Sequence, residues 1–329
     1  MDPVAALIEI AELLERERAS RYRARAFRQA AATFQTLPDE VREDPTRLRA
    51  AKGIGNSTFE VIRQAQDGRV PEYLVELRGA VEPERASELR ARLRGDLHAH
   101  SDWSDGTTSL ESMADAARAL GHEYLAITDH SPRLRVARGL SAERLREQIP
   151  LVRGLSGSGL TVLAGIEVDI LERGALDQED ALLDELDIVV ASIHSLLRMD
   201  AGPMTARMIA AVSDPRVDVL GHCTGRLVQG ERGTRPPSQF DARAVFEACA
   251  ENGVAVEINS RPERQDPPDE LIAIALDAGC LFSIDSDAHA PGQLSLLDYG
   301  AERAEQAGVP AERIVTTWGL DRLRAWARG

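Results

Sequence analysis

The residues with the most chemistry to offer are seven histidines, at positions 98, 100, 122, 130, 194, 222 and 289. Six of them occur in short runs, several beside carboxylates: Asp96-Leu97-His98-Ala99-His100 with Asp105 just beyond, Thr128-Asp129-His130, Ser192-Ile193-His194, Gly221-His222 and Asp285-Ser286-Asp287-Ala288-His289. Gly165-Ile166-Glu167-Val168-Asp169 adds acids without an imidazole. Side chains alternate along a strand, so the two imidazoles of His98-x-His100 leave the same side, and Asp287 and His289 repeat that arrangement. Imidazole with carboxylate suits zinc, manganese or iron. Cys223, Cys249 and Cys280 lie far apart with no CxxC pair, which argues against a thiolate structural zinc or a disulfide framework. A single histidine is more often a surface or hydrogen-bonded core residue than a ligand. Six converging with interleaved acids reverse those odds, because without metal they would crowd repelling or unsatisfied groups together.

Convergence requires a scaffold. From Gly95 onward, β-rich runs near 95–99, 123–129, 160–170, 187–194, 217–222, 254–260 and 281–287 alternate with helical stretches near 110–120, 141–155, 179–185, 203–212, 240–252 and 269–278, with two more helices after 295. Seven strands alternating with helices predict an α/β fold with parallel strands. A closed or nearly closed barrel is the most economical arrangement, and a doubly wound open sheet is the other. In such a barrel the chemistry sits at the C-terminal ends of the strands, where six of the histidines fall. His122 falls at a strand start and reads as a surface residue. Trp103 lies between ligand motifs, where it either stacks on a base or sugar or covers the site.

The first third reads as helices, over 4–18, about 21–35, and from Lys52-Gly53-Ile54-Gly55-Asn56-Ser57-Thr58 to about Gln66. A charged helix or linker over about 80–94 marks the boundary between domains at 1–90 and 95–329. Charge divides the 329 residues the same way: 1–95 hold 17 basic against 16 acidic residues, and 96–329 hold 22 against 38. A uniformly acidic chain would repel nucleic acid, but Arg16, Arg18, Arg21, Arg23, Arg25 and Arg28 crowd into one short stretch. Arg18, Arg21, Arg25 and Arg28 share a helical face, either solvated or in contact with phosphates. Gly53-x-Gly55 before a helix frees backbone N–H groups for an anion. No apolar run is long enough to span a bilayer. The acidic, amphipathic N-terminus is unlike a secretory signal, and a cytoplasmic location with no membrane partner is expected.

These motifs resemble the PHP (polymerase and histidinol phosphatase) family, whose order HxH, TDH, a lone Glu, a lone His, GH and DxH is matched over residues 95–329. The flanking text GDLHAHSDWSDG, YLAITDHSPRLRVARGL, GHCTGR and EINSRPERQD is most similar to the PHP domain of bacterial family X DNA polymerases. Residues 1–80, through AFRQAAATFQTLP and KGIGNSTFEVI, resemble the helix-hairpin-helix domain of those polymerases. The resemblance implies a distorted, TIM-like (β/α)7 barrel preceded by a small all-α domain. It implies nine ligands, His98, His100, Asp105, His130, Glu167, His194, His222, Asp287 and His289, around three divalent ions of zinc, manganese or iron. His98, His100, Glu167 and Asp287 would hold one ion, Glu167, His194 and His222 a second, and Asp105, His130 and His289 the third. Leu93 runs almost directly into the first strand, so the palm of the family polymerases has no place and polymerase activity is not expected. Lyase chemistry lacks its lysine, since Lys52 is the chain's single lysine.

The implied activity is phosphoester hydrolysis by a hydroxide formed on the metals. Arg135, Arg226 and Arg264, in loops after the second, fifth and sixth strands, match family arginines and are expected to contact phosphate, with surface salt bridging the competing reading. Asp129 is expected to orient a ligand imidazole. Gly53, Gly55, Asn56, Ser57, Arg21, Arg25 and Arg28 are the candidate DNA contacts. The expected substrate is a DNA end or gap, as a 3′-5′ exonuclease or 3′-end processing enzyme. The alternatives are a small-molecule phosphomonoesterase resembling histidinol phosphatase and a non-catalytic DNA-end-binding protein.

Overall fold

A computed structural model describes residues 1–17, 21–80, 87–229 and 233–327, the side chain of Arg21 excepted. Arg18, and residues 81–86 of the expected linker, lie outside the described residues. The chain divides into two compact units, Met1–Glu84 with Pro291–Gln293, and Arg85–Ala290 with Leu294–Gly329.

The first unit is helical: α1 (Pro3–Arg16), α2 (Arg21–Thr36), α3 (Asp39–Arg42), α4 (Pro45–Ala50), α5 (Asn56–Gln66) and α6 (Glu72–Ala80). Its core is a stripe from each long helix, with Leu7, Ile10 and Leu14 against Phe27, Ala31 and Phe34, and Phe59 and Ile62 closing over them. The short helices escape a periodicity reading. α4 has a recognisable start, with Asp44 accepting from Thr46 and Arg47 N–H ahead of Pro45. Between α4 and α5 the backbone turns at Gly53, whose φ of +96° suits glycine, and a Cβ there would lie 2.7 Å from Thr33 Oγ1. Thr58 Oγ1 then accepts from Gly55 N–H at 2.9 Å and starts α5.

The second unit is a seven-stranded parallel sheet in sequential order: β1 (Gly95–Ala99), β2 (Tyr124–Ile127), β3 (Thr161–Asp169), β4 (Ile188–Ser192), β5 (Val219–Leu220), β6 (Ala255–Asn259) and β7 (Leu281–Asp285). A parallel bridge between Ala99 and Ala288, with His100 N–H donating to Ala288 O at 2.8 Å, brings β7 back to β1, so the barrel is nearly closed. The intervening helices are α7 (Leu110–Ala119), α8 (Ala142–Gly154), α9 (Asp180–Leu183), α10 (Ala201–Val212), α11 (Ala242–Glu251) and α12 (Asp269–Asp277), followed by α13 (Leu297–Gln306) and α14 (Leu320–Ala327).

Alternation along the strands builds two cores. Ile166 and Val168 face the helix side with Met113, Ile149, Met208 and Phe246. Leu163, Val190, Val219 and Ala255 pack together with Val315, Trp318 and Leu323 from the C-terminal segment. Period two therefore puts Glu167 and Asp169 on the same side of β3 as Leu163, toward the barrel's interior. Residues 87–94 hold a single 3₁₀ turn, Arg90–Arg92, anchored by buried Leu89 and Leu93. Among the described residues no helix is long and apolar enough to cross a membrane.

Candidate metal centre

The nine side chains singled out from the sequence arrive at one place, at or just past the C-terminal ends of the strands. Glu167 is the hub. Its Oε2 lies 3.4 Å from His98 Nε2, 3.6 Å from His100 Nε2 and 2.8 Å from His130 Nδ1. Its Oε1 lies 3.2 Å from His194 Nε2 and 2.8 Å from His222 Nε2. Asp105 Oδ1 is 3.3 Å from His130 Nε2 and 3.4 Å from His289 Nε2, and Asp287 Oδ1 is 3.4 Å from His100 Nε2.

Proximity here is not hydrogen bonding. Both oxygens of Glu167, Asp105 Oδ1, His98 Nε2, His194 Nε2 and both ring nitrogens of His100 and of His222 are buried without a hydrogen-bond partner. Buried polar atoms are nearly always satisfied, so atoms that crowd to about 3 Å yet miss hydrogen-bond geometry are aimed at shared points between them. Four groups have ligand atoms within 4.8 Å of one another: His100, Asp105, His130 and His289; His98, His100 and Asp287; His98, Glu167 and His222; and His130, Glu167 and His194. Nitrogen and carboxylate donors in threes and fours, without thiolate, fit divalent cations. The partition differs in detail from that implied by the resemblance. Glu167 groups with His98 and His222, and separately with His130 and His194, because its two oxygens face different imidazoles.

The electrostatics show how tightly the groups are coupled. Burial disfavours the Glu167 carboxylate, but His194, His130 and His98 outweigh it and hold its pKa well below the ordinary range. Burial likewise opposes the His130 cation, but Glu167 and Asp105 push its pKa up to about 10. His100, desolvated and beside His289 and His130, is driven down to about 3. The Glu167 charge needs cations around it, whether protons or metal ions.

A further layer was not singled out from the sequence. Glu257 on β6 is fully buried, 2.5 Å from His98 Nδ1, and accepts from His222 N–H. Asp169 binds His194 Nδ1. Arg207, at the buried positions of α10 with Met204, Met208 and Ala211, donates to Ile170 O, to Leu171 O at 3.0 Å and to Ser195 O at 2.9 Å. It ties the chain after Asp169 to the chain after His194. Arg261 reaches Asp287 O at 3.2 Å and lies 3.1 Å from His289 Nδ1. Three of these carried a signal: a Glu amid the apolar run Val254–Ile258, an Asp two residues beyond Glu167, and an Arg within an apolar helical stripe.

The expectations for Asp129 and His122 are corrected. Asp129 orients no ligand imidazole; its carboxylate accepts from Ser101, Ser104 and Gln148, and so braces the β1 loop against α8. Of the three arginines, only Arg264 reaches the cluster, with Nε 2.9 Å from Asp287 Oδ2. Arg226 is held by the carbonyls of Arg264 and Gln265, and Arg135 is exposed with no side-chain partner among the described residues. His122 is not a surface residue but 5% exposed, with neither ring nitrogen bonded. In the helical unit Arg28 makes a two-pronged pair with Glu15, both contacts 2.7 Å, because α2 buries its neighbouring face against α1. Arg25 is exposed with no side-chain partner among the described residues; at the start of α5, Gly55, Asn56 and Ser57 are exposed, with Gly55 N–H taken by Thr58 Oγ1 and Asn56 Oδ1 accepting from Arg49 at 3.2 Å, while the side chain of Arg21 is outside the described residues.

A nearly closed parallel β/α barrel with imidazoles and carboxylates clustered at its strand ends, in a chain that also carries a helical unit, defines a class that comparison names. The PHP domain model matches residues 96–261 and the helix-hairpin-helix domain model matches 1–68. The chain belongs to the PHP domain family, and residues 69–95 leave no room for a polymerase palm between the two matches. The DNA polymerase/3'-5' exonuclease PolX of Bacillus subtilis is 35% identical over 239 residues, 72% of this chain but only 41% of that protein. A probable phosphatase of Vibrio parahaemolyticus is 32% identical over 234 residues, 68% of this chain and 88% of the relative. A crystal structure of histidinol phosphate phosphatase from Lactococcus lactis, complexed with zinc, L-histidinol and phosphate, superposes with a TM-score of 0.49 at 18% identity, over 65% of this chain and 94% of that one.

Proposed function

We propose that the chain is a metal-dependent phosphoesterase acting at DNA ends, removing 3′ nucleotides or 3′ blocking groups. The observation that carries the reading is the set of buried, unbonded imidazole and carboxylate atoms converging past the strand ends. The nine residues His98, His100, Asp105, His130, Glu167, His194, His222, Asp287 and His289 would hold up to three divalent ions. When bound, such ions supply Lewis acidity and an activated water. The chain's own contribution is geometric and electrostatic. Glu167 gathers the imidazoles, Glu257 and Asp169 fix the His98 and His194 rings, and Arg264 and Arg261 place a positive field beside Asp287 where a phosphoryl group would approach.

DNA is supported by the helix-hairpin-helix match and by the exonuclease relative. First-turn amides of α5, beside exposed Asn56 and Ser57, suit backbone phosphates without reading bases. A second reading, hydrolysis of a small phosphomonoester, is favoured by the phosphatase relatives, most of whose length this chain covers. The test is incubation with Mn²⁺ of 5′-labelled duplex and gapped DNA, and in parallel of p-nitrophenyl phosphate and histidinol phosphate, by wild type and His194→Ala. Shortened DNA that disappears in the variant supports the first reading. Phosphate release from monoesters with intact DNA replaces it by the second. No hydrolysis by metal-loaded protein on any substrate refutes both.

A further inference from the structure

The loop between β2 and α8 combines features that the metal centre does not use. It follows directly on His130, and residues 131–144 carry Arg133, Arg135, Arg138 and Arg144 against a single acid, Glu143, in a unit that is otherwise strongly acidic. Several arginines of the helical shell are ion-paired, as Arg118 is with Asp115, Arg146 with Glu179 and Arg243 with Asp277. Three of the four in this loop meet no carboxylate among the described residues. Arg135 has no partner among the described residues, Arg138 donates to the carbonyls of Asp102 and Ser104, and Arg144 donates to the carbonyls of Trp103 and Arg138 with its guanidinium 5.9 Å from the Trp103 ring centroid. Arg133 meets Asp177, its backbone N–H donating to Oδ2 at 2.6 Å while its exposed guanidinium stands 3.9 Å from Oδ1.

The loop is braced at its base. Leu140 N–H donates to His130 O at 2.7 Å, Ala137 is buried, and a Cβ at Gly139 would lie 1.8 Å from Ser131 O. What this firm base lifts into solvent is Val136, 93% exposed and the most exposed large aliphatic of the described residues. A single exposed aliphatic is ordinary on a protein surface; what sets this one apart is its place beside Arg133 and Arg135 in a loop of net positive charge. A partner that uses both features is anionic and offers a flat apolar face at the spacing of neighbouring residues. A polynucleotide strand does both, through its phosphates and its bases.

We propose that this loop, resting on Trp103 and presenting Arg133, Arg135 and Val136, is a docking lip for the single-stranded end of a polynucleotide, holding the nucleotides next to the scissile bond. The proposal rests on the DNA-end reading and deepens it: the barrel itself, and not only the helical hairpin unit, grips the strand. A small monoester would not reach the lip.

The experiment compares wild type, Val136→Glu and Arg133→Gln, as full chains loaded with Mn²⁺, on a 5′-fluorescein-labelled 20-mer of thymidylate and on p-nitrophenyl phosphate. Both positions are exposed, so the fold is expected to survive, with melting temperatures as a control. Val136→Glu should raise KM for the oligonucleotide about tenfold or more with kcat held, and leave the small ester within about twofold. Arg133→Gln should make the dependence of log kcat/KM on log salt shallower by about 0.7, one phosphate contact on a single strand. If wild type digests the oligonucleotide and both variants match it, the lip is overturned and the DNA-end reading stands. Equal losses on both substrates, or a fall in kcat alone, also overturn the lip. If wild type digests no DNA, both fall.

Discussion

Glu257 offers the sharpest test of how the cluster is held. Its Oε1 faces His98 Nδ1 at 2.5 Å, while Oε2 accepts from His222 N–H at 2.5 Å and from Asn259 Nδ2 at 3.1 Å. A carboxylate only accepts, so it holds the proton of His98 on Nδ1 and leaves the Nε2 lone pair turned to the cluster. Glu257→Gln keeps the shape and spoils the logic. If the amide oxygen serves His98, the amide NH₂ confronts two donors, from His222 and Asn259. If it is reversed, the NH₂ faces Nδ1, the ring proton moves to Nε2, and the lone pair is lost. Either way a buried donor goes unsatisfied, at about 1–3 kcal/mol. Losing a group that orients a metal-binding histidine typically costs about 10–100-fold in affinity, which is about 1.4–2.8 kcal/mol. The assay is bound metal per chain, by mass spectrometry, after dialysis against graded free Mn²⁺ or Zn²⁺, with far-UV circular dichroism as the fold control. The variant's curve should move to higher free metal by about 10–100-fold. Superimposable curves from a normally folded variant would refute the argument.

Three further outcomes are expected. His122 is buried beside Arg90, and burial first, then that charge, lowers its pKa to about 4. Unfolding restores about 6.5, so the unfolded chain binds the extra proton between those values; the stability is present above about pH 6.5 and is lost as pH falls through about 4, by up to about 3 kcal/mol. His122→Leu should remove that limb from denaturant midpoints measured between pH 4 and 7, and a pH profile parallel to wild type would contradict it. Gly53→Ala forces a Cβ to φ +96° within 2.7 Å of Thr33 Oγ1 and should cost the helical unit about 2 kcal/mol. Gly55→Ala, with no atom nearer than 4.0 Å, should cost under about 1 kcal/mol; equal losses in denaturant unfolding would refute the assignment of the turn to Gly53. Arg207→Met strips the carbonyls of Ile170 and Ser195 of this donor, leaves Leu171 O with Gly174 N–H alone, and should cost about 3 kcal/mol, or about 6–12 °C in melting temperature for a domain of this size; a shift of under 2 °C would show the buried guanidinium to be dispensable.

The barrel was legible because each of its signals is local. A strand buried on both faces shows as a short apolar run, and the helices between show as stripes, so the elements fall within a few residues of their expected places. β5 is the exception. A run over 217–222 narrows to Val219–Leu220, with the chain turning over residues 222–225, where Gly225 N–H donates back to His222 O. α6 escaped because its apolar stripe is thin, Leu74 alone being buried. His122 was misread for a related reason: a histidine at a strand start looks exposed until the neighbouring loop that covers it is known.

The clustered imidazoles and carboxylates were legible and their supports were not, and the difference is one of sequence distance. A clustered residue announces itself by standing at a strand end. A support announces itself only through its partner, and Glu257 serves a ring 159 residues away. The same gap explains Arg264. As a cation in a loop past β6 it reads as a phosphate contact, yet its Nε is engaged by Asp287 Oδ2 while Oδ1 of that carboxylate faces His100. Asp287 also sits at φ +51°, a strained backbone for a residue other than glycine. Arg264 and Arg261 outweigh the burial of its carboxylate and hold its pKa well below the usual range. The two arginines therefore act first through Asp287, together keeping it anionic, while Arg264 fixes Oδ2 so that Oδ1 points into the cluster. Any contact they make with a phosphoryl group comes from the part of each guanidinium that this duty leaves over. An arginine beside an acidic centre is thus ambiguous in sequence, because the two roles call for the same residue at the same loop.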